Sequence, residues 1–243
     1  MGKPFVMDIH EGHLLSLIYF AIGMSPIAAL SLSIAGLWTL PTGTMLLVLP
    51  MVALGIALAT KYPHCGKLAL TGLLAGLIAV FLYDCTRVPF IIAGAWGDFI
   101  PKIGGWLLKT NRPNRVVGYL WRYIGNGAGM GMAFTFLFAH FFRTRSARTN
   151  FASGVIFGVA IWLCLLATLF GSPRGEEMLF KLTPVSFALS LLGHLVFGAV
   201  LGALVHRWKV GAKNPPFVSR LRVLVTTPVP LWPTRSALES LAA

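Results

Sequence analysis

Six long apolar stretches dominate this chain, at about 13–36, 41–60, 68–92, 115–142, 151–171 and 185–206. Each is near the roughly 20 residues that an α-helix needs to cross the hydrocarbon of a bilayer. Only 11% of residues are charged, and mean hydropathy is +0.78. A soluble domain carries roughly 25% charged residues, so a water-soluble core of this size is excluded. The predicted fold is all-α: a polytopic membrane bundle of about six transmembrane helices over 1–206. A basic, Pro-containing tail follows at 207–243, too polar to span. Its composition alone predicts disorder, and a partner or a membrane surface is expected to hold it.

The net charge is +13. No basic stripe interleaved with aromatics is present, so nucleic acid is not an expected partner. The basic residues flank the spans, where lipid headgroups attract them. Lys3, Lys61, Lys67, Arg143, Arg145, Arg148 and the tail's Arg207, Lys209, Lys213, Arg220, Arg222 and Arg235 fall on one side. Lys102, Lys109, Arg112, Arg115, Arg174 and Lys181 fall on the other. The positive-inside rule then puts both termini in the cytoplasm, in a membrane expected to be the bacterial inner one. The first span, opening with Asp8 and Glu11, is not read as a signal peptide.

Between the third and fourth spans, 93–114 places Trp96, Phe99, Ile103, Trp106 and Leu107 among Gly, Pro, Lys and Arg. The pattern predicts a hairpin or short helix in the interface, its tryptophans at headgroup depth. Within the spans, Gly72/Gly76, Gly125/Gly129, Gly127/Gly131, Gly154/Gly158 and Gly198/Gly202 set glycines four apart. Such pairs let helices approach closely in lipid, and the bundle's own packing is their expected use.

Polar side chains in the spans are costly and therefore informative. Asp84 and Arg87 are three apart and share a helical face. Tyr119, Arg122, Tyr123 and Asn126 fall at i, i+3, i+4 and i+7, one face that should look into the bundle. Arg122 is a natural second partner for Asp84. His194 is the deepest ionisable residue, on the side of its helix that carries Gly198 and Gly202. Asp84, Arg87, Arg122, Asn126 and His194 form the candidate intramembrane polar site. Each also has a structural reading, as an ion pair, a packing network or a single histidine hydrogen bond.

His10, His13, His64, His140 and His206 fall at or beyond the cytoplasmic span ends. His13, His64, His140 and His206 are weak candidates for a metal site there. His194 has no histidine at its own depth, which argues against a two-haem arrangement. Glu176, Glu177, His140 and His194 stand in the wrong order for the glutamate and histidine motifs of CAAX-type membrane proteases. GxSxG, P-loop and HExxH motifs are missing. Cys65, Cys85 and Cys164 form no CxxC, and their odd number argues against a disulfide framework.

At Tyr83-Asp84-x-x-Arg87, Trp121…Asn126-Gly127 and Gly193-His194…Gly198, the chain resembles a group of uncharacterised bacterial polytopic membrane proteins. The resemblance covers roughly 68–206 and implies no activity. Many members of that group carry histidine after the tryptophan, where this chain has Arg122. A permanent cation there weakens any two-histidine site with His194.

Three functions are expected. The first is a non-catalytic accessory or scaffold subunit of a membrane complex, with partner subunits in the bilayer. The second is a transporter, or a proton-linked protein handling a small or lipid-like molecule through an outward polar pocket. This one requires Asp84, Arg87, Arg122, Asn126 and His194 to converge. The third is a membrane metalloenzyme built on the cytoplasmic-side histidines. No cofactor is specified.

Overall fold

The computed structural model describes residues 9–141 and 146–210, with side chains over 12–139 and 146–210. Apart from its first four residues, the tail expected at 207–243 lies outside this range. Among the described residues the chain is all-helical: α1 (Ile9–Ile34), α2 (Leu40–Lys61), α3 (Pro63–Ile92), α4 (Ile100–Leu107), α5 (115–141), α6 (Ala147–Phe170), α7 (Gly175–Met178) and α8 (Pro184–Arg207). It is a polytopic membrane protein. Five of these helices, α1, α2, α3, α6 and α8, are long and apolar enough to cross a membrane.

The sixth expected crossing is α5. It is helical without a break, but its glycines and polar residues keep it out of that apolar set. The packing explains why. Residues 127–136 are all buried, so this half of α5 faces protein and not lipid. Successive crossings place 35–39, 93–114 and 171–183 together at one end of the bundle, called here the loop face.

Local chemistry sets the helix ends and irregularities. Asn114, Ser146 and Thr183 cap α5, α6 and α8 by accepting backbone N–H groups three residues on. Pro26 leaves the Ile22 carbonyl of α1 without its helical donor, and Ser25 Oγ donates to it at 2.8 Å. That replacement matters in a bilayer, where water is not there to pair the carbonyl. Gly94, at φ +74°, takes the left-handed conformation that ends α3.

The expected glycine pairs act within this chain. A Cβ on Gly76 would overlap Gly127 O, and one on Gly72 would lie 2.6 Å from Met132 Cα, so α3 and α5 touch backbone to backbone. Gly154 would overlap Gly198 O, and Gly158 would overlap His194 O, joining α6 to α8. Gly23, outside the expected pairs, does the same for α1 against Gly129 of α5.

These contacts order the helices as an open ring: α1, α5, α3, α8, α6. α2 lies outside it against α1 and α3. The ring's last pair, α1 and α6, packs far less closely than the others. The short helix expected in 93–114 is α4, which sits over the loop-face end and packs on the start of α5. Its aromatic flank does not simply face headgroups. Trp96, Ile100 and Ile103 are buried in the protein, because Gly104 and Gly118 let α4 seat directly on α5.

Candidate functional site

α5 widens to π-helical geometry over residues 121–128. Such widening recurs at functional positions, since it redirects side chains. The face expected for Tyr119, Arg122, Tyr123 and Asn126 still looks into the bundle. Tyr119, Arg122 and the half-buried Tyr123 turn to the charges of α3, Tyr123 standing beside Asp84, and Arg122 and Asn126 reach a central cavity.

The charges form a closed network. Asp84 Oδ1 accepts from Arg122 Nε at 2.9 Å, Arg122 Nη2 at 2.6 Å and Arg87 Nε at 3.2 Å. Asp84 Oδ2 accepts from Arg122 Nε at 2.9 Å. Arg87 extends the network to the loop face: Nη1 lies 3.5 Å from Asp98 Oδ1, and Nη2 donates to Tyr119 OH at 3.1 Å. Tyr119 OH in turn donates to Asp98 Oδ2 at 3.1 Å. Asp98 Oδ1 also accepts the Ile100 N–H and so anchors α4. Two arginines face two aspartates, so the network is neutral. Arg87 is 1% exposed, which is tolerable only because each end of its guanidinium is paired. The Trp96 and Phe99 rings flank it at 5.9 and 5.7 Å, and Tyr83 lies 4.6 Å from the Arg122 guanidinium.

Beside this network lies a cavity of about 100 Å³, inside the ring and toward the loop face. Arg122 and Asn126 of α5, His194 of α8 and Tyr83 of α3 line its deep side. Ile27, Leu30, Ser31 and Ile34 of α1 and Ile161, Cys164, Leu165 and Thr168 of α6 form the other walls. Trp96, Phe99 and Phe180 close it toward the loop face, Phe180 packing 5.3 Å from each of the other two rings.

Three cavity-lining side chains have hydrogen-bonding capacity to spare. Asn126 Oδ1 and Trp96 Nε1 are buried and have no partner among the described residues. His194 Nδ1 lies 2.7 Å from Ser190 O. A carbonyl only accepts, so Nδ1 carries the proton, and in the neutral ring Nε2 remains an acceptor. The ring is held in place from behind. Trp162 Nε1 donates to Ser190 Oγ at 3.1 Å, and Tyr83 packs edge-on at 5.2 Å. Gly193 makes room for Tyr83, since a Cβ there would lie 2.6 Å from Tyr83 Cε2.

Of the five intramembrane candidates, Arg122, Asn126 and His194 share the cavity. Asp84 and Arg87 stand behind it, Asp84 holding Arg122 and Arg87 tying down the loop face. Asp98, Trp96 and Phe180 were not among the sequence candidates. Asp98 was legible only as a lone acid in a basic loop. Phe180 carried no signal, because its role depends on the loop after α6 folding back over α4.

Among the described residues no group of three His, Cys, Asp or Glu is placed to hold a metal ion. His64 Nε2 lies 3.2 Å from Cys65 Sγ, and His206 Nδ1 lies 3.1 Å from Asn150 Nδ2. His13 belongs to no such group, and the His140 side chain lies outside the described residues. Comparison with family models, curated proteins and solved structures finds no match to this chain.

Proposed function

We propose that this protein binds and handles a small molecule inside the bilayer, in the cavity lined by Arg122, Asn126 and His194. One observation carries the reading: polar atoms with no partner among the described residues border this cavity, beside an ion network that satisfies itself. A buried unpaired polar atom costs about 1–3 kcal/mol, so these atoms belong with a hydrogen-bonding occupant. The walls from α1 and α6 are mostly apolar. An amphipathic molecule, with one polar end at Asn126 and His194, matches that division. The protein is then a carrier or binding protein. In the sequence, more Lys and Arg flank the span ends opposite the loop face than those at it, which supports that end being cytoplasmic.

Native mass spectrometry of gently extracted protein tests the proposal. Wild type is expected to retain a small molecule that an Asn126→Leu/His194→Phe variant loses. Equal masses of bound material on both would sink it. A second reading, the accessory subunit, has support of its own in α2. Only 11% of the best apolar window of that helix is buried, against 39–50% for the other four apolar helices. A partner subunit seated on α2 would appear in the same spectra as a stoichiometric added mass.

A further inference from the structure

We infer that the cavity's occupant arrives sideways from the lipid, through the seam between α1 and α6, and is a single-chain, membrane-partitioned amphiphile. The inference rests on the binding function proposed above and names its ligand class and route. Two boundaries of the cavity decide it. Toward the loop face Trp96 and Phe180 are buried and stacked edge to face, so water-borne solutes meet an aromatic wall. Toward the seam the lining residues are open: Cys164 is exposed, and Ile27, Ser31, Leu165 and Thr168 are partly exposed.

The seam is also the ring's weakest joint. Near the cavity α1 and α6 meet through the hydroxyl pair Ser31 Oγ–Thr168 Oγ1, 3.0 Å apart. Beyond it, at the loop face, Ser172 Oγ donates to Ile34 O at 2.7 Å. Glycine contacts join α1 to α5, α5 to α3 and α6 to α8 backbone to backbone, whereas this pair is bridged by side-chain hydroxyls. A hydroxyl bridge in lipid has a ready exchange partner in an incoming polar headgroup. The group can take the Ser31 and Thr168 bonds in passing and then reach Asn126 and His194. The cavity's small volume limits it to a compact head, with its chain left lying along the apolar seam.

Photolabelling of the full chain in liposomes tests this with two probes. One is a fatty alcohol bearing a diazirine beside its hydroxyl, and the other is a short water-soluble diol bearing a diazirine. The expected result is that the fatty alcohol labels peptides containing Asn126 and His194. The variant Cys164→Trp, which fills the mouth from a lipid-exposed position, is expected to abolish that labelling. Labelling of the outer surface of α2 should persist in the variant and so report an intact fold. Interior labelling by the diol alone, indifferent to Cys164→Trp, would overturn the lateral route and leave the binding function standing. Interior labelling by neither probe would overturn both.

Discussion

Replacing Asp84 by asparagine leaves two buried guanidinium groups with one carboxylate between them. Of the two arginines Asp98 pairs only with Arg87, so Arg122 would keep its charge with an amide for a partner. Breaking a buried ion pair by removing one partner costs roughly 3–5 kcal/mol. For a chain of this length each kcal/mol moves the unfolding midpoint by roughly 2–4 °C, so Asp84→Asn is expected to lower it by roughly 10 °C. Thermal unfolding in lipid nanodiscs, followed by tryptophan fluorescence, reads the shift. The companion variant Asp84→Leu/Arg122→Met removes both charges and keeps the Arg87–Asp98 pair. It is expected to recover most of the lost stability, because apolar replacement of a whole buried pair is often neutral. A single variant within about 1 kcal/mol of wild type would refute the reasoning, since that is the range of an exposed pair. A double variant as unstable as the single one would refute it too.

Other substitutions separate packing from binding. Gly154→Leu forces side-chain atoms into the Gly198–Gly202 backbone, and overpacking of this kind costs at least about 1–3 kcal/mol, measurable as a lower midpoint. Tyr119→Phe removes the hydroxyl between Arg87 and Asp98 and is expected to cost about 1.5–3 kcal/mol, as for a hydrogen bond to a charged group, in the same assay. Asn126→Leu is expected to leave the midpoint unchanged or raise it when no ligand is present, because it removes an unpaired buried oxygen. It is expected to abolish retention of the small molecule in native mass spectra.

The fold was largely legible because a bilayer leaves little choice. Backbone groups in hydrocarbon must pair within a helix, so apolar length alone located α1, α2, α3, α6 and α8. The pairing of Asp84 with both arginines was legible for a similar reason: charges in lipid must find each other. α5 was the difficult element. Its glycines read correctly as packing sites, but no periodicity announces the π-helical stretch over 121–128. The loop face was misjudged in one respect. Trp96 looks like an interfacial anchor by composition, whereas Gly104 and Gly118 draw α4 down until Trp96 becomes a wall of the site. Close approach between two segments joined by a turn is a tertiary fact, and sequence spacing does not encode its depth.

The most direct measurement is a high-resolution structure of the protein in native-lipid nanodiscs, with attention to the space between Arg122, Asn126 and His194. The account expects non-protein density within hydrogen-bonding distance of Asn126 Oδ1 and His194 Nε2, continuing as a narrow chain toward Cys164 between α1 and α6. A cavity filled by the protein's own side chains, with Asn126 and His194 bonded to protein partners, would contradict it.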